Sequence, residues 1–189
     1  MKRERIPQGF TLLELLVTIA IATVIGAIAV PALSDWTRRT TTRTVVQKLA
    51  TAITHTRAAA VNKNERAVIC YLDGDGHCDN AWENPLSTFI DRDEDAELDG
   101  DDSLLMVVDI IPEGGDLDWS AFGSNRYIAF RPNGQTVASN GRMTYCPPGG
   151  DPRYAHQVIL ARTGRIRLAR DTDNDGIREG SGGAPLDCD

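Results

Sequence analysis

Residues 15 to 34 form an uncharged run of 20 positions, "LLVTIAIATVIGAIAVPALS", bounded by Glu14 and Asp35. At 1.5 Å rise per residue, a helix of that length crosses roughly 30 Å of hydrocarbon, so the segment is long enough to span a bilayer. Lys2, Arg3 and Arg5 precede it, and the positive-inside bias keeps this short end in the cytoplasm and sends the remaining chain outward. A secretory signal peptide with Ala27-Ile28-Ala29 as its cleavage site is the plain alternative. Its apolar core would be only about 7–15 residues long, and it has no use for a carboxylate at its start. Glu14 is therefore the anomaly, because a carboxylate in lipid is costly without a partner or a purpose.

The rest of the chain bounds the answer. Its 189 residues allow one compact domain behind the apolar segment, and a net charge of -7 argues against a protein that coats nucleic acid over its whole surface. Any anion-binding surface must be local. The four cysteines, Cys70, Cys78, Cys146 and Cys188, lack CxxC spacing, and an even number behind an export signal favours two disulfides. Three pairings exist. Cys70 with Cys78 and Cys146 with Cys188 is the favoured one, closing a short Gly-rich loop and tying the tail to the body.

Past Pro31 the apolar residues Val45, Val46, Leu49, Ile53 and Ala60 recur at helical steps, with Arg38, Arg39, Arg43, Lys48 and Arg57 mostly off that stripe, so the helix is expected to reach about Asn62. From Arg66 the period becomes two. "AVICYL", "STFI", "LLMVVDII", "YIAFRP", "MTYC", "HQVILAR" and "RIRLAR" read as strands between Gly, Pro, Asn and Asp. One long helix followed by consecutive strands predicts an α+β fold, the helix stripe covering a sheet face.

Two segments are acidic. "DRDEDAELDGDD", residues 91–102, holds eight acids against one arginine. "DTDNDGIREG" starts like a calcium loop with Asp171, Asp173, Asp175 and Gly176 at its first, third, fifth and sixth positions, then departs from it, since Gly182 stands where a bidentate Glu is needed. Asp91, Asp93 and Asp95 are the alternative ligands, although Ala96 replaces the turn glycine. The plain reading of both segments is a solvated acidic loop; calcium is a side hypothesis, and no other cofactor is expected.

One basic stretch stands out. "PRYAHQVILARTGRIRLAR", residues 152–170, contains five arginines and no acid, the local contrast expected of a polyanion footprint. Thr163-Gly164 reads as a two-residue hairpin turn, which places Arg162 opposite Arg165 and puts Arg162, Arg165 and Arg167 on one face. Like charges directly opposite destabilise a hairpin, and a bound anion would relieve that conflict. Alternatively the arginines pair with the acidic loops. Tyr145 and Tyr154 would stack bases if single strands were bound, although Tyr on a strand is more often ordinary packing. His55, His77 and His156 show no metal-ligand spacing, and no nucleophile elbow or phosphate loop is present, so no enzyme is expected.

"GFTLLELLVTIAIATVIGAIAVPAL" resembles the class III signal of type IV pilins and pseudopilins. The resemblance implies a prepilin peptidase cut between Gly9 and Phe10, N-methylation of Phe10, a leader 1–9, a membrane and filament-core helix 10–34 with Pro31 at the family's common kink, and a periplasmic or extracellular domain 35–189. It also implies a role for Glu14, whose carboxylate pairs with the new amine of a neighbouring subunit in the filament core. "GRIR", Gly164 to Arg167, is similar to the GRxR motif of FimT-like minor pilins, within the FimT and GspH group. That likeness implies a minor pilin binding DNA in natural transformation through Arg162, Gly164, Arg165, Arg167 and Arg170. Its partners would be DNA, other pilins and minor pilins, prepilin peptidase and, before assembly, inner-membrane lipid. A GspH-like pseudopilin of type II secretion and a minor pilin that only primes assembly are the rival readings. The chain departs from the motif's context by running 22 residues beyond Arg167, through the acidic tail.

Overall fold

The computed structural model describes residues 10–137 and 140–188. Gly9 and the rest of the leader lie outside the described residues. Helix α1 spans Leu12–Lys63 and continues through Pro31. Thr11 caps it, its Oγ1 accepting from the Glu14 backbone N–H at 3.2 Å. Glu14 thus occupies the third helical position, where the exposed N–H groups and the helix dipole favour a carboxylate. This local role for Glu14 was not anticipated from the sequence.

By contacts the chain divides into two compact units, one ending at Arg39 and one running from Thr40. In the first, Phe10, Leu12, Leu13, Leu16, Ile25, Ile28 and Leu33 are all exposed, an apolar surface that demands lipid or other protein around it.

Among its described residues the second unit carries the remaining helix and nine strands: β1 (Ala67–Leu72), β2 (Cys78–Asp79), β3 (Leu86–Ile90), β4 (Ser103–Val108), β5 (Asp116–Ala121), β6 (Ile128–Phe130), β7 (Gly141–Cys146), β8 (His156–Leu160) and β9 (Ile166–Leu168). All strand pairings among the described residues are antiparallel. One sheet runs β2-β1-β3-β4, with β6 also on β1; the second, of four strands, runs β5-β7-β8-β9. The expected helical stripe is the core: Val45, Val46, Leu49, Ala52, Ile53 and Ala60 are buried with Ala67, Ile69, Leu86 and Ile90 of the first sheet and Trp119, Met143, Tyr145, Val158 and Leu160 of the second. The helix therefore serves both sheets, where a single face was expected. Lys63 ends it one residue beyond the expected boundary.

The far face of the first sheet buries a smaller cluster, Val68, Cys70, Cys78, Phe89, Ala96 and Ala129, beneath the acidic segment. Cys70 is bonded to Cys78 and Cys146 to Cys188, the pairing favoured from the cysteine spacing.

Candidate functional site

The second sheet has one face in the core and one facing outward. Period-two alternation sends Leu117, Trp119, Met143, Tyr145, Val158 and Leu160 inward. The intervening residues face out, and register aligns them in a row across all four strands. Ser120 is opposite Arg142, Arg142 opposite Ile159, and Ile159 opposite Arg167. Arg142 and Arg167 are thus two strands apart, roughly 10 Å. One position nearer the β8–β9 turn on that face, Ala161 donates its N–H to the Arg165 carbonyl at 2.8 Å. An open groove of about 660 Å³ follows this surface, lined among others by Phe122, Arg142, Ile159, Arg162 and Arg167. Phe122 stands 84% exposed at its rim.

The β8–β9 turn differs from the expected one. Val158 pairs with Leu168 and Leu160 with Ile166, so the loop contains three residues, Arg162, Thr163 and Gly164. Gly164 takes φ +76° and its N–H donates to Ala161 O at 2.8 Å, the left-handed residue that closes a three-residue hairpin. Arg162 therefore sits in the turn and does not oppose Arg165; the like-charge conflict expected across the hairpin is absent. Arg165 and Arg167 share the outer face, while Ile166 takes the inward position and packs on the core.

Helix α1 holds this turn in place. Arg57 Nε donates to Gly134 O at 2.8 Å and Nη2 to Thr163 O at 3.4 Å, and the Thr136 N–H donates to Arg162 O at 3.1 Å. Gly134 O and the Arg57 side chain lie against Gly164 so closely that a Cβ there would overlap both. The glycine of the GRIR stretch is thus demanded by backbone conformation and by packing together.

No carboxylate among the described residues pairs with Arg142, Arg162, Arg165 or Arg167. Within the first acidic segment, Asp91 pairs with Arg66 and Glu97 with His77, and its one arginine, Arg92, pairs with Glu65. Arg170 lies past the end of β9, where its carbonyl accepts from Glu179 N at 2.9 Å, and it does not line the groove. The tail then folds back over the other end of the same sheet face. Gly180, Ser181 and Leu186 border a second concavity with Asp118, Thr144 and Gln157, and Cys188 is fixed to Cys146. Tyr145 and Tyr154 are both buried, so neither offers a face for base stacking. Sequence reasoning missed Arg142 and Phe122. Arg142 precedes the inward Met143 and Tyr145 by odd steps, an alternation that already placed it outward.

Two models of known families match the chain: the type II transport protein GspH over residues 45–164, and the prokaryotic N-terminal methylation motif over residues 6–30. Among curated proteins there is no match. Two crystal structures of the type IV minor pilin FimU of Pseudomonas aeruginosa share the fold. One is 19% identical with a TM-score of 0.52, covering 78% of this chain and 99% of that one. The other is 18% identical with a TM-score of 0.53, covering 82% and 99%. The minor pseudopilin EpsH of the Type 2 Secretion System of Vibrio cholerae is 15% identical, with a TM-score of 0.43 over 65% of this chain and 90% of that one. With the GspH model covering well over half of its residues and the methylation motif at its start, the chain belongs to the GspH family of type IV pilin-like proteins.

Proposed function

We propose that this chain is a minor pilin that binds DNA without sequence preference, as part of DNA uptake in natural transformation. The reading rests above all on the exposed arginines at the turn end of the outer sheet face, which are left without carboxylate partners on a chain of net charge -7. Arg142, Arg162, Arg165 and Arg167 are placed to meet phosphates, and phosphate contacts position a duplex without reading its sequence. Phe122, at the rim of the same groove, adds an apolar face against which a base or sugar can rest. Arg170 contributes only long-range attraction.

Upstream, prepilin peptidase would cut between Gly9 and Phe10, and the helix would hold the subunit in the inner membrane until assembly. The amine of a neighbour's Phe10 would then pair with Glu14 in the filament core, where each charge satisfies the other. The description of the matching family favours one second reading, a minor pseudopilin in type II secretion. In that case the arginines would meet acidic surfaces of neighbouring subunits.

The test is titration of the oxidised chain from Asp35 onward with random-sequence duplex at several salt concentrations, beside the Arg165→Ala/Arg167→Ala double variant. With three to five phosphates neutralised, log affinity falls against log salt with a slope of about -3 to -5, and the double variant lowers that slope by about 2. Equal and negligible binding by both proteins would leave the secretion reading in its place.

A further inference from the structure

The segment between β3 and β4 contains an arrangement that the arginine face does not use. Asp91 directly follows β3 and is fully buried. Its Oδ2 lies 3.2 Å from Arg66 Nε and accepts from Ala96 N at 3.2 Å, while its Oδ1 is buried with no hydrogen-bond partner. Asp102, just before β4, repeats the pattern. Its Oδ1 accepts from Arg92 N at 2.8 Å, and its Oδ2 is buried without a partner. Asp93 supplies a third, exposed carboxylate, and one oxygen from each of Asp91, Asp93 and Asp102 lies within 4.8 Å of the other two. Two orphaned acceptors beside a third carboxylate are costly in a protein interior, where an unpaired polar group loses its hydration without compensation.

We propose that Asp91, Asp93 and Asp102 are the carboxylate ligands of a calcium ion bound at the edge of the first sheet. The donor set is all oxygen, which selects a hard divalent cation over zinc or copper. Calcium accepts irregular geometry and six to eight ligands, so water and main-chain carbonyls can complete a shell around three carboxylates.

No cation among the described residues satisfies the orphaned oxygens. Arg66 reaches only the Oδ2 side of Asp91. The Arg92 guanidinium is committed to Glu65, to the Asp101 carbonyl and to Ser103 Oγ at 3.2 Å. A divalent ion among the three carboxylates gives the orphaned oxygens a partner.

The ligand set differs from the one expected from spacing. Asp95 groups with Asp93 and Asp99 in a neighbouring exposed cluster, and Asp102 takes its place. Ala96, where a calcium loop carries glycine, adopts φ +65° itself and is buried, so the missing glycine does not prevent the turn.

The experiment uses the full-length chain in detergent micelles, stripped with EDTA and titrated calorimetrically with calcium chloride and separately with magnesium chloride. Thermal melts are run on the same samples. Asp93→Asn, Asp102→Asn and Asp173→Asn are compared with the parent. The tail cluster Asp171, Asp173, Asp175 and Glu179 is the internal control. The expected result is one equivalent of calcium at this loop and a Tm raised by about 5–10 °C at a hundred times Kd. That equivalent weakens at least about tenfold in Asp93→Asn and in Asp102→Asn and is retained in Asp173→Asn. In EDTA, Asp102→Asn melts no lower than the parent, because it relieves the repulsion among three clustered carboxylates; a purely structural carboxylate would give a lower melt. Absence of calcium heat and of any Tm shift in the parent overturns the proposal. So does calcium binding abolished by Asp173→Asn and indifferent to Asp93→Asn and Asp102→Asn.

Discussion

His156 opens β8 opposite Tyr145, with its Nδ1 buried and without a hydrogen-bond partner. Burial, reinforced by Arg178, lowers its pKa to about 4. The ring is therefore neutral in the folded protein across a range in which the unfolded chain, titrating near 6.5, takes up a proton. The stability owed to this group is complete above the unfolded value and is lost as pH falls toward 4. Allowing for the part of the ring that solvent still reaches, the loss is about 2 kcal/mol between those limits. Asp91 and Asp102, with raised pKa values, act in the opposite sense, gaining relative stability on acidification. Denaturant unfolding of the parent and His156→Gln at pH 7, 5.5 and 4 isolates the histidine. The parent should lose about 2 kcal/mol more than the variant, and parallel curves would sink the assignment. The sequence showed only that His156 begins a strand. Its lowered pKa depends on the fold that buries it and on Arg178, which lies 22 residues later in the chain and packs beside it.

The β8–β9 hairpin shows at the scale of elements what sequence pattern can and cannot carry. Alternation in "HQVILAR" and "RIRLAR" identified both strands and the outward arginines. The register depended on whether Thr163-Gly164 or Arg162-Thr163-Gly164 formed the turn. Gly in left-handed conformation serves both, so the contact that decides it, Arg57 against Gly134 and Thr163, comes from a helix about a hundred residues away. Strand β5 escaped detection for another reason. Asp116 and Asp118 are poor strand formers, yet β5 is an edge strand, where outward charges protect against pairing with other chains. Of the proposed calcium ligands, the sequence showed the acidic spacing, but Asp102 joins Asp91 only because β3 and β4 pair. Arg57 offers a direct test of the hairpin mount. Arg57→Ala removes two hydrogen bonds from a cationic donor and should cost about 1–3 kcal/mol. Hydrogen exchange should accelerate at the Gly164 amide and much less at β1. If salt-dependent DNA affinity also falls in this variant, although Arg57 is not in the groove, the rigid presentation of Arg162 and Arg165 contributes to binding.

Across the second unit, the outer face of the four-stranded sheet carries opposite charges toward its two ends. Arg162 and Arg167 line the groove at the turn end, Asp116, Asp118 and Asp187 border the concavity under the tail, and Arg142 borders both. The tail's own acids, Asp171, Asp173, Asp175, Glu179 and Asp187, would be strongly attracted to the arginines if the segment were free. The tail is fixed away from the turn arginines by the Cys146–Cys188 bond, by Leu186 buried against Ala155 and Ala169, and by Arg178 donating to Ala155 O at 3.2 Å. The disulfide joins positions 42 residues apart, and closing a loop of that size in the unfolded chain stabilises the fold by about 4 kcal/mol. Cys146→Ala/Cys188→Ala should therefore lose about that much stability and unfold at lower denaturant concentration, with the unfolding slope raised by the less constrained denatured state. Under native conditions the freed end can reach the groove and compete with phosphate, so DNA affinity should fall while the salt slope becomes shallower. Restored affinity on adding Asp187→Asn to the cysteine variant would assign the loss to tail charge, whereas no change on opening the disulfide would mean that Leu186 and Arg178 alone keep the acidic segment from the arginine face.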